Sequence, residues 1–234
     1  MKKSTNTIVS IEGNIGSGKS TLLAHLQKCF VTKPSQPKKI VFLKEPVDEW
    51  STICDENGIT ILEKFYANQK AYSFPFQMMA YVSRLALLKE AVETNENAII
   101  ITERSLYTDR FVFAKMLFDS GNIELINYQI YLRWFNTFVK DFPVDFVIYV
   151  KAEPEVCHER ILERSRKGED NIPLTYLQTC HDYHEKMMDT NINSGNVSIF
   201  KKETILTLDG NTNIYQNPEN LEKWIEHIAQ FINL

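Results

Sequence analysis

The segment that most restricts what this chain can fold into is Gly13-Asn14-Ile15-Gly16-Ser17-Gly18-Lys19-Ser20-Thr21, which holds three of the chain's eight glycines. It reads GxxxxGK[ST] between a strand-like run, Thr7–Glu12, and a helical pattern, the setting in which such a loop wraps a phosphate chain. Glycines let the backbone turn so that its N–H groups point at an anion. The helix that follows adds its positive end. Lys19 would reach the β- and γ-phosphates of a nucleoside triphosphate, and the Ser20 hydroxyl would ligate Mg²⁺. Strand, spacing, lysine and serine all agree, which a ligand-free glycine turn would not require.

The rest of the chain fits an α/β protein built around that loop. Four further apolar runs read as strands: Ile40–Lys44, Ala98–Thr102, Asp145–Val150 and Thr204–Leu208. Most are continuously apolar, which suits parallel strands covered on both faces. Between them lie helical patterns at Gln77–Thr94 (with Met78, Val82, Leu85 and Val92 at helical spacing), Ile123–Lys140, Pro173–Asp189 and Pro218–Ile232. Alternation of this kind predicts a doubly wound, five-stranded parallel sheet flanked by helices, in one domain over residues 1–234. Hydrophobic residues at 44% and charged residues at 24% exclude a disordered chain, a collagen and a coiled-coil rod.

A net charge of -4 argues against nucleic acid or an anionic membrane surface as partner. No apolar run approaches the roughly 18 residues that cross a bilayer. The first ten residues enter a strand at once, so no transit or signal peptide is expected unless one was trimmed. Cys29, Cys54, Cys157 and Cys180 show no CxxC spacing, which fits reduced thiols in a cytoplasmic protein. Cys180, His181 and His184 lie close together, yet one helical turn is a poor metal cage, and structural roles are expected for them.

In open parallel sheets, ligands bind beyond the carboxyl ends of the strands. After the second strand comes Glu45-Pro46, and a carboxylate there is either a general base for an attacking hydroxyl or a solvated cap. After the third comes Glu103-Arg104, able to hold a metal-bound water and to neutralise charge on a phosphoryl group, or else a buried ion pair. After the fourth, a helix carries Arg160, Arg164 and Arg166, three of seven arginines in the chain. They are either a phosphate clamp or a solvated face paired with Glu159 and Glu163.

Taken together, GNIGSGKST, EPVDEW, SFPFQ, ERSLYTDR, RILERSRKGED and IPLTYL resemble the deoxynucleoside kinases, in the family's order, over nearly the whole chain. The resemblance implies a P-loop kinase fold with an Arg-rich lid near 160–171, ATP as phosphoryl donor, Mg²⁺, and 5′-phosphorylation of a 2′-deoxynucleoside in nucleotide salvage. It implies Glu45 as the base for the 5′-hydroxyl, Arg104 at the 5′ end and Glu103 supporting Mg²⁺. Tyr66 and the lid residue Glu169 would bind the sugar 3′-hydroxyl. Gln77 would pair with the base, walled by Phe76 and Trp50, with Ile15, Leu62 and Phe65 as further lining. Lys19, Arg160, Arg164 and Arg166 would grip the donor phosphates, with Lys19 and Arg164 acting in the transfer itself. Ala80, Arg84 and Asp109 match the subgroup that takes deoxycytidine and deoxypurines rather than thymidine. A homodimer through the long helices is likewise implied. Two rival readings remain at this stage: a thymidylate-type nucleoside monophosphate kinase, disfavoured by Lys44 where an arginine should precede Glu45, and a nucleotide-dependent switch, disfavoured by the absence of an NKxD segment.

Overall fold

The computed structural model describes residues 5–31, 38–164, 172–190, 198–215 and 217–234. Every apolar run of the sequence becomes a strand: β1 (Thr7–Glu12), β2 (Ile40–Leu43), β3 (Ile99–Glu103), β4 (Phe146–Lys151) and β5 (Ile205–Asp209). All neighbours are parallel, in the order β2-β3-β1-β4-β5. The central strands β1, β3 and β4 are almost wholly buried, whereas β2 and β5 lie at the edges and are only partly covered. Side chains alternate across the sheet, so Ile99 and Ile101 of β3 join one core while Ile100 joins the other.

On one face, α1 (Lys19–Val31) supplies Leu22, Leu23 and Leu26, and the C-terminal helix α10 (Pro218–Phe231) supplies Ile228. The other face carries the larger core. Two short helices, α2 (Val47–Trp50) and α3 (Ile61–Ala67), lead into the long α4 (Gln69–Thr94). After β3 come α5 (Leu106–Thr108), a π-helical stretch Asp109–Ala114, α6 (Lys115–Asp119) and α7 (Leu125–Phe138). Tyr81 of α4 meets Tyr131 of α7 edge to face at 5.7 Å. Burying an apolar side chain of similar size, as Phe135 beside them is buried, stabilises the fold by about 1.5–3 kcal/mol. Beyond β4 lie α8 (Pro154–Arg164) and α9 (Leu174–Met188).

The structure departs from the periodicity reading at two helices. α4 begins eight residues before Gln77 and contains Pro75, which local propensity reads as a break. Asn68 caps the first turn by accepting from the Ala71 N–H, and Phe76, Gln77, Ala80 and Tyr81 are buried around the proline. Tertiary packing therefore outweighs the roughly 3 kcal/mol that an interior proline costs. The buried face of α4 also differs from the apolar stripe, because Val82 is 48% exposed while Gln77, Ser83 and Arg84 are buried. A polar buried face on a helix points to a site beneath it. Likewise α7 is shorter than Ile123–Lys140, ending in a 3₁₀ turn at Val139–Asp141. Its aromatic stripe splits, with Tyr128, Tyr131 and Phe135 buried and Trp134 exposed.

Candidate active site

The loop after β1 is fixed from below before any ligand reaches it. Gly13 and Gly16 have φ of +143° and +80°, and a Cβ on either would run into a carbonyl oxygen, of Val150 at the end of β4 or of Cys157 on α8. Asn14 donates through Nδ2 to the Leu177 carbonyl of α9 at 2.9 Å and accepts the Ile15 N–H. Gly13 and Asn14, expected at the phosphates, thus anchor the loop, and the stretch that lines a cavity of about 500 Å³ is Ile15 to Thr21. Lys19 is buried and turns its ammonium onto the Asn14 carbonyl at 2.5 Å. Burial first, and Arg104 second, push its pKa down to about 7.

Three carboxylates close the inner wall, Glu45 and Glu103 at neighbouring strand ends and Asp109 at the start of the π-helical stretch. Glu45, just past β2, receives Arg84 Nη2 at 2.9 Å and faces Arg104 Nε at 3.3 Å, both on Oε1. Burial alone would push Glu45 up, but Arg104 and Arg84 outweigh it and bring the carboxyl down to about 2. Arg84 also donates to Asp109 at 3.0 Å and to the Glu103 carbonyl at 2.7 Å. Burial pushes Asp109 upward, against the pull of Arg84. Glu103 accepts from the Ser20 hydroxyl at 2.5 Å. Arg104 has φ +64°, a left-handed conformation that costs of order 1–3 kcal/mol in a non-glycine residue. It is held there by its N–H on the Ile11 carbonyl, by Thr102 Oγ1 on its own carbonyl, and by Nη1 on the Gly13 carbonyl.

Above this wall the cavity becomes an aromatic slot. Phe65 and Phe76 stack at 4.6 Å, and Trp50 meets Phe76 edge-on at 5.6 Å. Trp50 is pinned through Nε1 to Ser83. Gln77 is buried at 2% exposure, and its Oε1 finds no partner among the described residues. An unpaired buried amide oxygen costs about 1–3 kcal/mol, which a ligand donor would relieve. Ala80 and Leu62 complete the slot. Tyr66 stands at its rim, 5.0 Å from Phe65 and 6.3 Å from Tyr176 between ring centres.

At the opposite end lie Arg160 and Arg164 of α8. Arg160 donates to the Gly210 carbonyl at 2.7 Å, with longer contacts to the Ser17, Asn211 and Thr212 carbonyls. It ties the phosphate loop to the segment after β5. Arg166 and Glu169 lie outside the described residues. Sequence reasoning missed that post-β5 segment, where Thr212 to Tyr215 and Trp224 of α10 line the cavity. The strand-end rule applied to the fifth strand would have found it. Phe113, 4.9 Å from the Arg104 guanidinium, and Tyr176 were also missed.

No group of three or more His, Cys, Asp or Glu gathers into a metal cage among the described residues. The Ser20 hydroxyl and Glu103 carboxylate are nonetheless hard oxygen donors beside the loop, which fits a Mg²⁺ ion that shares its shell with phosphate oxygens and water.

The family model for "Deoxynucleoside kinase" matches residues 9–233. Deoxycytidine kinase of Homo sapiens is 32% identical, over 96% of this chain and 90% of its own length. A probable deoxycytidine kinase of fowlpox virus is 30% identical over 98% and 89%. The mitochondrial deoxyguanosine kinase of Xenopus laevis is 32% identical over 77% and 72%.

The low pKa of Lys19 gives a proton signature. At pH 8 its amine is mostly neutral in the empty loop, and a bound triphosphate favours the charged form. Binding of ATP at pH 8 should therefore take up close to about one proton, falling away as pH drops below 7. Calorimetry in buffers of different ionisation enthalpy measures this, and Lys19→Arg should abolish it; equal heats in both buffers at pH 8 would contradict it.

Proposed function

The chain belongs to the deoxynucleoside kinase family, and on that premise we propose how its site performs the 5′-phosphorylation of a 2′-deoxynucleoside with ATP. The observation that carries the reading is the Glu45 carboxylate, held by Arg84 and Arg104 on the wall between the phosphate loop and the aromatic slot of one cavity. The donor phosphates lie along Ile15–Thr21 and under Arg160 and Arg164. The acceptor base enters between Phe76, Phe65 and Trp50, with Gln77 reading its edge. Tyr66 holds the sugar. In this reading the 5′-oxygen lies beside Glu45.

Transfer is in line, and most of the acceleration comes from positioning and charge. Glu45 is ionised throughout the working pH range, so it first orients the hydroxyl by accepting its hydrogen bond. A carboxylate with so low a pKa takes the proton late, once the oxygen has begun to bond to phosphorus. Lys19 and Arg104 neutralise the transferring group, with Arg164 closing from the donor side. Ser20 and Glu103 would hold Mg²⁺, which supplies further charge neutralisation when bound.

The acceptor end suits a nucleoside rather than its monophosphate. Arg84 and Arg104 are already engaged by Glu45 and Asp109, and an acceptor phosphate would meet the Glu45 carboxylate. Arg84 and Asp109 beside Ala80 present a donor and an acceptor and fill the room a thymine methyl would use, which favours deoxycytidine and deoxypurines. The chain works as one domain in a reducing, cytoplasmic setting, which the lack of CxxC spacing among its four cysteines and the burial of Cys157 and Cys180 support. No described helix is long and apolar enough to cross a membrane. It pairs with a second copy across α4 and α7, where Val82, Ile126, Ile130 and Trp134 are each more than two-fifths exposed. Light scattering should then report a dimer at micromolar concentration, and a monomer would remove that pairing.

A panel of deoxynucleosides, ribonucleosides and monophosphates with ATP and Mg²⁺ tests the central reading by kcat/KM. Deoxynucleosides should lead, and Glu45→Gln should cut their turnover at least ~10²-fold with the fold intact. Near-normal turnover in that variant would take Glu45 out of the chemistry. Arg84→Met with Asp109→Ala should raise thymidine use relative to deoxycytidine. Because Arg84 also holds Glu45, kcat should fall with every substrate at the same time, by roughly 10-fold or more; an unchanged ranking would defeat the specificity assignment.

A further inference from the structure

We propose that His184 is a positioning residue for the transfer step: its imidazole holds the Arg104 guanidinium in place between the phosphate loop and Glu45. The inference rests on the role of Arg104 given above.

His184 lies on the inner face of α9 and is fully buried. Its Nδ1 is 2.7 Å from the Cys180 carbonyl one turn earlier. A carbonyl only accepts, so Nδ1 carries the hydrogen and Nε2 presents its lone pair. That lone pair faces Arg104 Nη1 at 3.4 Å. The same Nη1 donates to the Gly13 carbonyl at 2.8 Å, so the loop and His184 together use both of its hydrogens. Arg104 Nε is left to face Glu45.

The ring itself has little freedom. Tyr149 lies parallel to it at 6.5 Å, and Phe113 meets it edge-on at 6.2 Å. Phe113 also borders the Arg104 guanidinium, so both partners of the contact share one wall. Burial first, and Arg104 second, hold the imidazole well below its ordinary pKa, which keeps it neutral. A cation at this place would repel Arg104, and an apolar ring would leave a buried guanidinium hydrogen unpaired. A neutral acceptor satisfies both demands.

The position matters because Arg104 stands in a left-handed backbone conformation with its side chain reaching across to the loop. Fixing the backbone does not fix the fork of the guanidinium. His184 and the Gly13 carbonyl do so from two sides, and this sets which nitrogen Glu45 meets.

A double-mutant cycle tests the idea with deoxynucleoside and ATP as substrates. His184→Phe fills the slot without an acceptor and should lower kcat ~10-fold or more, while KM for both substrates stays within about twofold. His184→Gln, which returns an acceptor oxygen near the place of Nε2, should recover most of the turnover. In an Arg104→Lys background the effect of His184→Phe should shrink to less than about twofold, because its object is gone. Melting temperatures identify variants that fail to fold, and His184→Leu replaces His184→Phe in the cycle if that one does. Unchanged kcat in the acceptor-free variant, equal losses in His184→Phe and His184→Gln, or losses that simply add to that of Arg104→Lys would each overturn the proposal. Undiminished turnover in Arg104→Lys alone would instead strike the role of Arg104 itself.

Discussion

Buried ionic groups are costly unless they cancel, and the architecture of this protein turns on one place where they do. Lys19, Arg84 and Arg104 face Glu45, Glu103 and Asp109 at the inner ends of the strands and on α1, α4 and the π-helical stretch. Desolvating any one of these alone costs several kcal/mol. Together they share close contacts, with Arg84 alone serving two carboxylates and a carbonyl. Arg84 and Arg104 are each tied to at least one carboxylate and to a backbone carbonyl, which limits where their guanidinium groups can sit. That is what a site for moving a small charged group requires, since positions fixed in advance need no reorganisation during reaction.

The fold delivers these groups by a simple geometric rule. Parallel strands all end on the same side, so the residues after β1, β2, β3 and β5 converge without any long excursion. The helices then add what strand ends cannot. α4 turns a polar face, with Gln77 and Arg84, toward the cavity. α9 reaches the site twice, through the Leu177 carbonyl on Asn14 of the loop and through His184 on Arg104. Gln77, Arg84 and His184 are thus polar residues at buried helix positions that packing alone would fill with apolar ones.

Much of this was legible in the sequence. Alternating apolar runs and helical patterns gave all five strands to within a residue, and the glycine-lysine loop located the carboxyl edge. Glu45 and the Glu103-Arg104 pair followed from inspecting strand ends. What stayed hidden has identifiable causes. The start of α4 was obscured by Pro75, a local signal that the buried aromatic cluster around Phe76 overrides. The anchoring roles of Gly13 and Asn14 depend on carbonyls about 140 and 160 residues away, which no local pattern encodes. His184 read as an ordinary core histidine because the group it faces is 80 residues distant. Tertiary hydrogen bonds between remote backbone carbonyls and side chains are the class of fact that periodicity cannot carry.

The balance of the ionic cluster bears on how a nucleotide arrives. The cations and carboxylates of the inner wall largely cancel, which leaves Arg160 and Arg164 as the cationic side chains at the donor end of the cavity, on a molecule whose whole charge is -4. A polyanion approaching from solution is therefore not drawn in over long distances and meets attraction only after it has docked. Retention, not capture, is where the protein distinguishes its nucleotide from other anions.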